Sequence, residues 1–325
     1  MRALGAVLRR AACCITAAAA VLALQVPSSV AGPDIPTKFI NQGGIINTRH
    51  NMTQDVGGIS STFMDSQRND YGAVCVYCHT PHGASTVVQA PLWNRTASSA
   101  TYTTYDSLGT STLTQPVTAP GPNSLTCLSC HDGTLGVDSV INMPNVSPHT
   151  GAPSANYLAA QMTSQNNAFL NTWQNPGGLT ANHVTLGDPD ETPGSAVGCM
   201  ACHSDTAIGN TVGPQATDFA VFTIGTNLTN DHPVGILFPA PGPGIDFNDP
   251  TGLKGDMRFF DDDGDGEPDT NEIRMYDTGD GHEVECASCH DPHGVPSGGV
   301  GTVHYPTFLR VGNEDSGVCL TCHNT

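Results

Sequence analysis

Basic residues are scarce in this chain. Eleven Lys and Arg stand against thirty Asp and Glu, a formal net charge of −19. Nucleic acid and anionic lipid both need a cationic face, so neither is expected as a partner. Charged residues of either sign make up only 13% of the chain, hydrophobic residues 38% and aromatics 6%. That poverty argues against a long-helix bundle and against a large aliphatic core. Long apolar runs are also lacking, and after Val26 none has the length of a membrane span. What the 325 residues hold instead is 36 Gly, 24 Pro, 12 Cys and 13 His. Gly and Pro interrupt regular structure. The Cys and His suggest that something other than aliphatic side chains fills the interior.

The N-terminus reads as a secretory signal. Arg2, Arg9 and Arg10 precede an uncharged, Ala-rich run from Ala11 to Val26. Ser29-Val30-Ala31 then supplies small residues suited to a signal peptidase. Cleavage after Ala31 removes three arginines and no acid, which takes the charge to −22. The expectation is an exported protein, in the periplasm or at the outer cell surface, without a membrane span once the signal is gone.

Outside this signal, all ten cysteines fall into five Cys-x-x-Cys-His units. They are Cys75-x-x-Cys78-His79, Cys127-x-x-Cys130-His131, Cys199-x-x-Cys202-His203, Cys286-x-x-Cys289-His290 and Cys319-x-x-Cys322-His323. Random placement of this composition gives about 0.02 such units. The spacing suits covalent haem c. Two thiols one turn apart can each add to a vinyl group, and the adjacent His becomes the proximal iron ligand. Structural zinc needs no His directly after each pair, and disulfides would not demand it either.

Eight His remain to serve as distal ligands. His50, His82, His183, His232 and His293 are the candidates, with His149 as the alternative to His183 for the third haem. His282 and His304 are expected to be solvent-exposed spares. His82 and His293 share the pattern His-x-Pro-His-Gly with the proximal His79 and His290. A three-residue link spans at most about 10 Å, and Pro opposes helix continuation. Neither His is therefore expected to reach round to its own iron. The reading assigns His82 to the haem at Cys127 and His293 to the haem at Cys319.

The first two units and the last two form a repeat. CVYCHTPHG followed by PLWNR ends at Arg95, and CASCHDPHG followed by PTFLR ends at Arg310. The chain divides accordingly: a signal over 1–31, a haem pair over 32–143, a central segment with the third haem over 144–215, and a final haem pair over 216–325. Short helices are expected to carry the haem units. Strands are expected to be few and short, the clearest over Asp218–Ile224. The fold class is thus a haem-packed multihaem cytochrome c, mostly coil.

The segments CVYCHTPHGA, CLSCHDGT, NDHPVG, ECASCHDPHG and FLRVGN…CLTCHNT resemble the doubled-CXXCH multihaem c-type cytochromes. The resemblance covers most of residues 45–140 and 220–325. It implies stacked low-spin haems, little regular secondary structure, and an exported electron carrier of metal-reducing and related anaerobic bacteria. Its partners would be redox proteins with basic faces, other multihaem cytochromes or metal-ion acceptors. It also implies His232 as a distal ligand. The lone central unit departs from a strictly paired layout. Two alternatives stand beside the carrier. A multihaem reductase would need one open iron, whereas every unit here ends in His. A conductive filament is suggested by the haem unit at the C-terminus.

An acidic loop adds a second metal candidate. Asp261, Asp263, Asp265, Asp269 and Glu272 occupy positions 1, 3, 5, 9 and 12 of an EF-hand-type loop, with Gly266 at position 6 and Glu267 at position 7. These residues are candidate Ca²⁺ ligands, without the flanking helices of a full EF-hand.

Overall fold

The computed structural model describes residues 40–53, 68, 71, 73–88, 90–111, 113–142, 184–189, 198–204, 218–240, 242 and 245–324. All of them belong to one compact unit, Pro36–Asp55 with Ile59–Thr325. The signal-like segment, His149 and His183 lie outside the described residues. Among the described residues, no helix is long and apolar enough to cross a membrane.

Most of the described chain is coil. Four α-helices punctuate it, and each carries part or all of a Cys-x-x-Cys-His unit. They are α1 (Pro122–His131), α2 (Met200–His203), α3 (Cys286–Cys289) and α4 (Gly317–Cys322). The first unit lies on a 3-10 turn, Val74–Tyr77. Pro122 opens α1 at a position where a missing N–H costs nothing.

A five-stranded antiparallel sheet occupies the C-terminal part. It comprises β1 (Ile236–Leu237), β2 (Gly252–Lys254), β3 (Met257–Phe259), β4 (Arg274–Asp277) and β5 (His282–Val284), in the order β1-β5-β4-β3-β2. The β2–β3 connection is a two-residue hairpin, and Gly255 supplies the positive φ such a turn needs. The strand expected over Asp218–Ile224 does not form. There the Asp218 carboxylate accepts from Ala220 N–H, and Phe219 C=O accepts from the N–H of both Phe222 and Thr223. Those local bonds close a turn and take the donors a strand would use.

Two apolar clusters anchor the coil. Tyr71, Tyr77 and Val140 pack together beside the first Cys-x-x-Cys-His unit, with Met52, Val76 and Cys78 against them. Phe238, Phe260, Ile273 and Met275 form the other, with Val318 and Cys322 of α4 packed on it. The fifth Cys-x-x-Cys-His unit is thus seated on the sheet. The second and fourth units also meet directly. The Ser124 hydroxyl of α1 accepts from Cys286 N–H at 2.9 Å, and Glu285 accepts from Gly121 N–H at 3.0 Å. Glu285 also forms a reciprocal capping box with Ser288 at the start of α3.

Candidate functional site

Each Cys-x-x-Cys-His unit folds as one tight turn. In the first, third, fourth and fifth, the His N–H donates to the carbonyl of the first Cys at 2.7–3.1 Å. In the second the unit is the last turn of α1. One turn brings residues three apart to the same side, as paired attachment of one haem demands. None of the ten cysteines is in a disulfide. Burial pushes the Cys78 and Cys322 thiols up to about 12, and those of Cys199 and Cys289 up to about 11. These thiols are therefore protonated at neutral pH and are poor free nucleophiles. Among the described residues no group of Cys and His converges as a zinc site does.

Three of the unit His residues are oriented by main-chain carbonyls. His79 Nδ1 faces Pro91 C=O at 2.8 Å, His131 Nδ1 faces Phe222 C=O at 2.5 Å, and His290 Nδ1 faces Thr307 C=O at 2.7 Å. A carbonyl only accepts, so each Nδ1 carries the proton and each Nε2 keeps its lone pair. That is the tautomer an iron ligand needs, fixed by an outer hydrogen bond. Burial lowers the pKa of both His131 and His290, which keeps them neutral. At the first, second and fourth turns the donor set therefore fits haem: two thiols and one correctly protonated imidazole each.

The repeat is real in three dimensions, but its register differs from the sequence reading. His79 bridges Trp93, and His290 bridges Leu309. Asn94 N–H donates to Cys78 C=O, and Arg310 N–H donates to Cys289 C=O. The Asn94 side chain then reaches Val76 C=O, and the Arg310 side chain reaches Ala287 C=O. Leu92 and Phe308 both take positive φ, at 52° and 62°. Arg310 is therefore the counterpart of Asn94, one residue from the Arg95 that letter alignment selects. The two segments are matched by their carbonyl positions, not by their side chains.

Arg95 has a different task. It is 1% exposed and donates to Ser129 Oγ and to the carbonyls of Ser129, Gly136, Val137 and Ser139. It thereby ties the segment clasping the first Cys-x-x-Cys-His unit to the second unit. Its composition signal was a lone Arg after PLWN, which gave no hint of this role.

The His293 ring centre lies 6.2 Å from that of His79, with planes 9° apart. The His50 ring centre lies 6.3 Å from that of His131, with planes 87° apart. His293 is thus a ring neighbour of His79, and His50 of His131. His82 itself is exposed. His50 follows the 3-10 turn Ile45–Asn47, and His131 is the last residue of α1.

His50 Nδ1 faces Pro292 C=O at 2.9 Å, and His293 Nδ1 faces the Asp291 carboxylate at 2.9 Å. Arg310 holds the other oxygen of Asp291 at 3.2 Å. Burial, then the nearby His131, push His50 down to about 4. The hydrogen bond to Asp291 raises His293. His232 Nδ1 faces Pro233 C=O at 3.0 Å, and desolvation with the nearby His323 lowers its pKa. His232 and His323 are thus neighbours. The His203 ring is stacked on Phe219 at 3.9 Å, and the His323 ring lies 4.6 Å from Phe247. His304, expected at the surface, is only 5% exposed, because it packs over Gly294, where a Cβ would collide with its ring.

No family model and no curated protein matches the chain. The site must be judged on its own chemistry.

The acidic loop joins β3 to β4 and is flanked by strands. Carboxylate oxygens of Asp261, Asp263 and Asp265 lie within 4.8 Å of one another. Asp261 also accepts from the N–H of Gly264 and Gly266, which holds the loop curled around them. The other candidates stand apart from this trio. Glu267 pairs with Lys254. Buried Glu272 accepts from the N–H of Asp262 and Asp269, closing the loop at its neck. The Asp269 carbonyl is held by Arg274.

Proposed function

We propose that this chain is an exported five-haem c-type cytochrome that carries electrons. The observation that carries the reading is the shared tautomer of His79, His131 and His290, each fixed by a carbonyl beside a Cys-x-x-Cys turn. Haem, when bound, supplies the one-electron chemistry that no side chain here provides. Cys75, Cys78, Cys127, Cys130, Cys199, Cys202, Cys286, Cys289, Cys319 and Cys322 hold it covalently. His79, His131, His203, His290 and His323 ligate from the proximal side. The protein's remaining task is to orient these imidazoles and to keep the attachment turns close together.

Adjacent turns support a relay. Asn94 N–H donates to Cys78 C=O of the first unit, the adjacent Arg95 holds Ser129 of the second, and Cys286 N–H of the fourth donates to Ser124 Oγ of α1. The first unit thus neighbours the second, and the second neighbours the fourth. The excess of acids favours redox partners with basic faces, other multihaem cytochromes, or metal ions as acceptors. We further infer Ca²⁺ bound by Asp261, Asp263 and Asp265, with Glu272 closing the loop.

A pyridine haemochrome assay on exported protein should give five haems per chain. Three or fewer would end the reading.

A further inference from the structure

We propose that His293 and His50 are the sixth ligands of the irons held at Cys75–His79 and at Cys127–His131, respectively. The inference rests on the five-haem reading and adds to it which imidazole faces which iron. Two imidazoles on opposite sides of one iron have a fixed separation. With metal–nitrogen bonds of about 2.0 Å and about 1.1 Å from nitrogen to ring centre, the two centres stand roughly 6.2 Å apart. The observed separations are 6.2 Å for His79–His293 and 6.3 Å for His131–His50. Rings that merely pack range from 3.9 Å for His203–Phe219 to 6.5 Å for His131–Phe222, so the separation counts only together with two imidazoles whose Nε2 atoms are free to coordinate. The interplanar angles of 9° and 87° are both allowed, since each imidazole can turn about its own iron–nitrogen bond.

The nitrogens agree with the distances. In all four rings Nδ1 faces an oxygen acceptor, namely Pro91, Phe222 and Pro292 carbonyls and the Asp291 carboxylate. Nε2 is left as the coordinating atom on both members of each pair. No proton or electron needs to move elsewhere, because each neutral Nε2 simply donates its lone pair. Two ligands then come from far along the chain. His293 belongs to the C-terminal haem pair and serves the first haem. Iron at that site would cross-link the two ends of the compact unit.

The test uses whole exported protein and removes one haem as a reference. H293A should create one CO-binding, high-spin iron per chain. In a C75A/C78A background, which lacks the first haem, adding H293A should create none. A new CO-binding iron in that background would show that His293 serves another haem and would overturn the proposal. So would five low-spin irons in H293A alone. H50A is read the same way against C127A/C130A. If H293A does not accumulate, H293M keeps a ligand and should show an iron–sulfur charge-transfer band that C75A/C78A abolishes. Persistence of that band in C75A/C78A would refute the assignment. The haem count of the unmodified protein separates the two ideas, because a low count defeats the carrier itself, whereas five haems with the wrong epistasis defeat only the ligation.

Discussion

Asp291 illustrates how much one side chain can decide. Its carboxylate bonds His293 on one oxygen and Arg310 on the other. A carboxylate on Nδ1–H makes the imidazole more electron-rich and favours the ferric iron it would ligate. D291N should therefore raise that haem's potential. A tenfold change in preference corresponds to about 59 mV for one electron, and a spectroelectrochemical titration should resolve one haem moving by about that much. No change in any of the five potentials would contradict the role. Arg95 is the structural counterpart, with its guanidinium buried among carbonyls. R95A removes every one of those donors at once, and R95K cannot reproduce the fork. R95A should cost about 3–5 kcal/mol in denaturant unfolding, since the carbonyls lose a buried charged partner. Neither role could be read from the letters. The Cys-x-x-Cys-His residues were legible because five recurrences of one spacing stand out in the sequence. Arg95 acts through carbonyls far along the chain, and Asp291 joins a nearby His to Arg310, neither of which the spacing encodes.

At the scale of elements, α1, α3 and the acidic loop each carry a prediction. Glu285 sits at the junction of α1 and α3, 1% exposed, and burial pushes it up to about 7 from 4.5. The folded state then holds a proton that the unfolded chain releases near pH 4.5. The stability it adds is complete below that pH and is lost as pH rises towards 7. The loss amounts to about 3 kcal/mol at most. E285Q should flatten this part of the stability–pH profile, measured between pH 4 and 8, and an unchanged slope would be evidence against the assignment. The acidic loop should answer to Ca²⁺. Binding to the native state at 100-fold above Kd adds about 2.7 kcal/mol. Thermal unfolding should therefore shift upward with Ca²⁺ in the parent protein and stay fixed in D261A/D263A. The sheet around this loop was hidden from the sequence. Its strands are two to four residues long, too short for an alternating pattern to show. The turn over Asp218–Ile224 misled in the opposite direction, because Phe219-Ala220-Val221-Phe222 has strand composition while Asp218 caps a turn.

For the molecule as a whole, charge governs encounter. Even before any signal is removed the chain carries −19. Screening shortens the reach of that field to about 10 Å at 0.1 M salt. Electron exchange with a small basic redox protein should slow at least about tenfold as salt rises from 10 to 200 mM, followed by stopped-flow absorbance. A salt-independent rate would place the contact at an uncharged haem edge instead.

The two repeat segments are matched by where their carbonyls fall and not by which side chains they bear. Asn94 and Arg310 answer to one another, as do Leu92 and Phe308. A clasp that reads the main chain is nearly blind to spelling. Duplicated copies built this way can drift apart, and even gain or lose a residue between clasp and haem unit, without losing their grip. Their common ancestry would then survive in backbone shape long after it had faded from the letters.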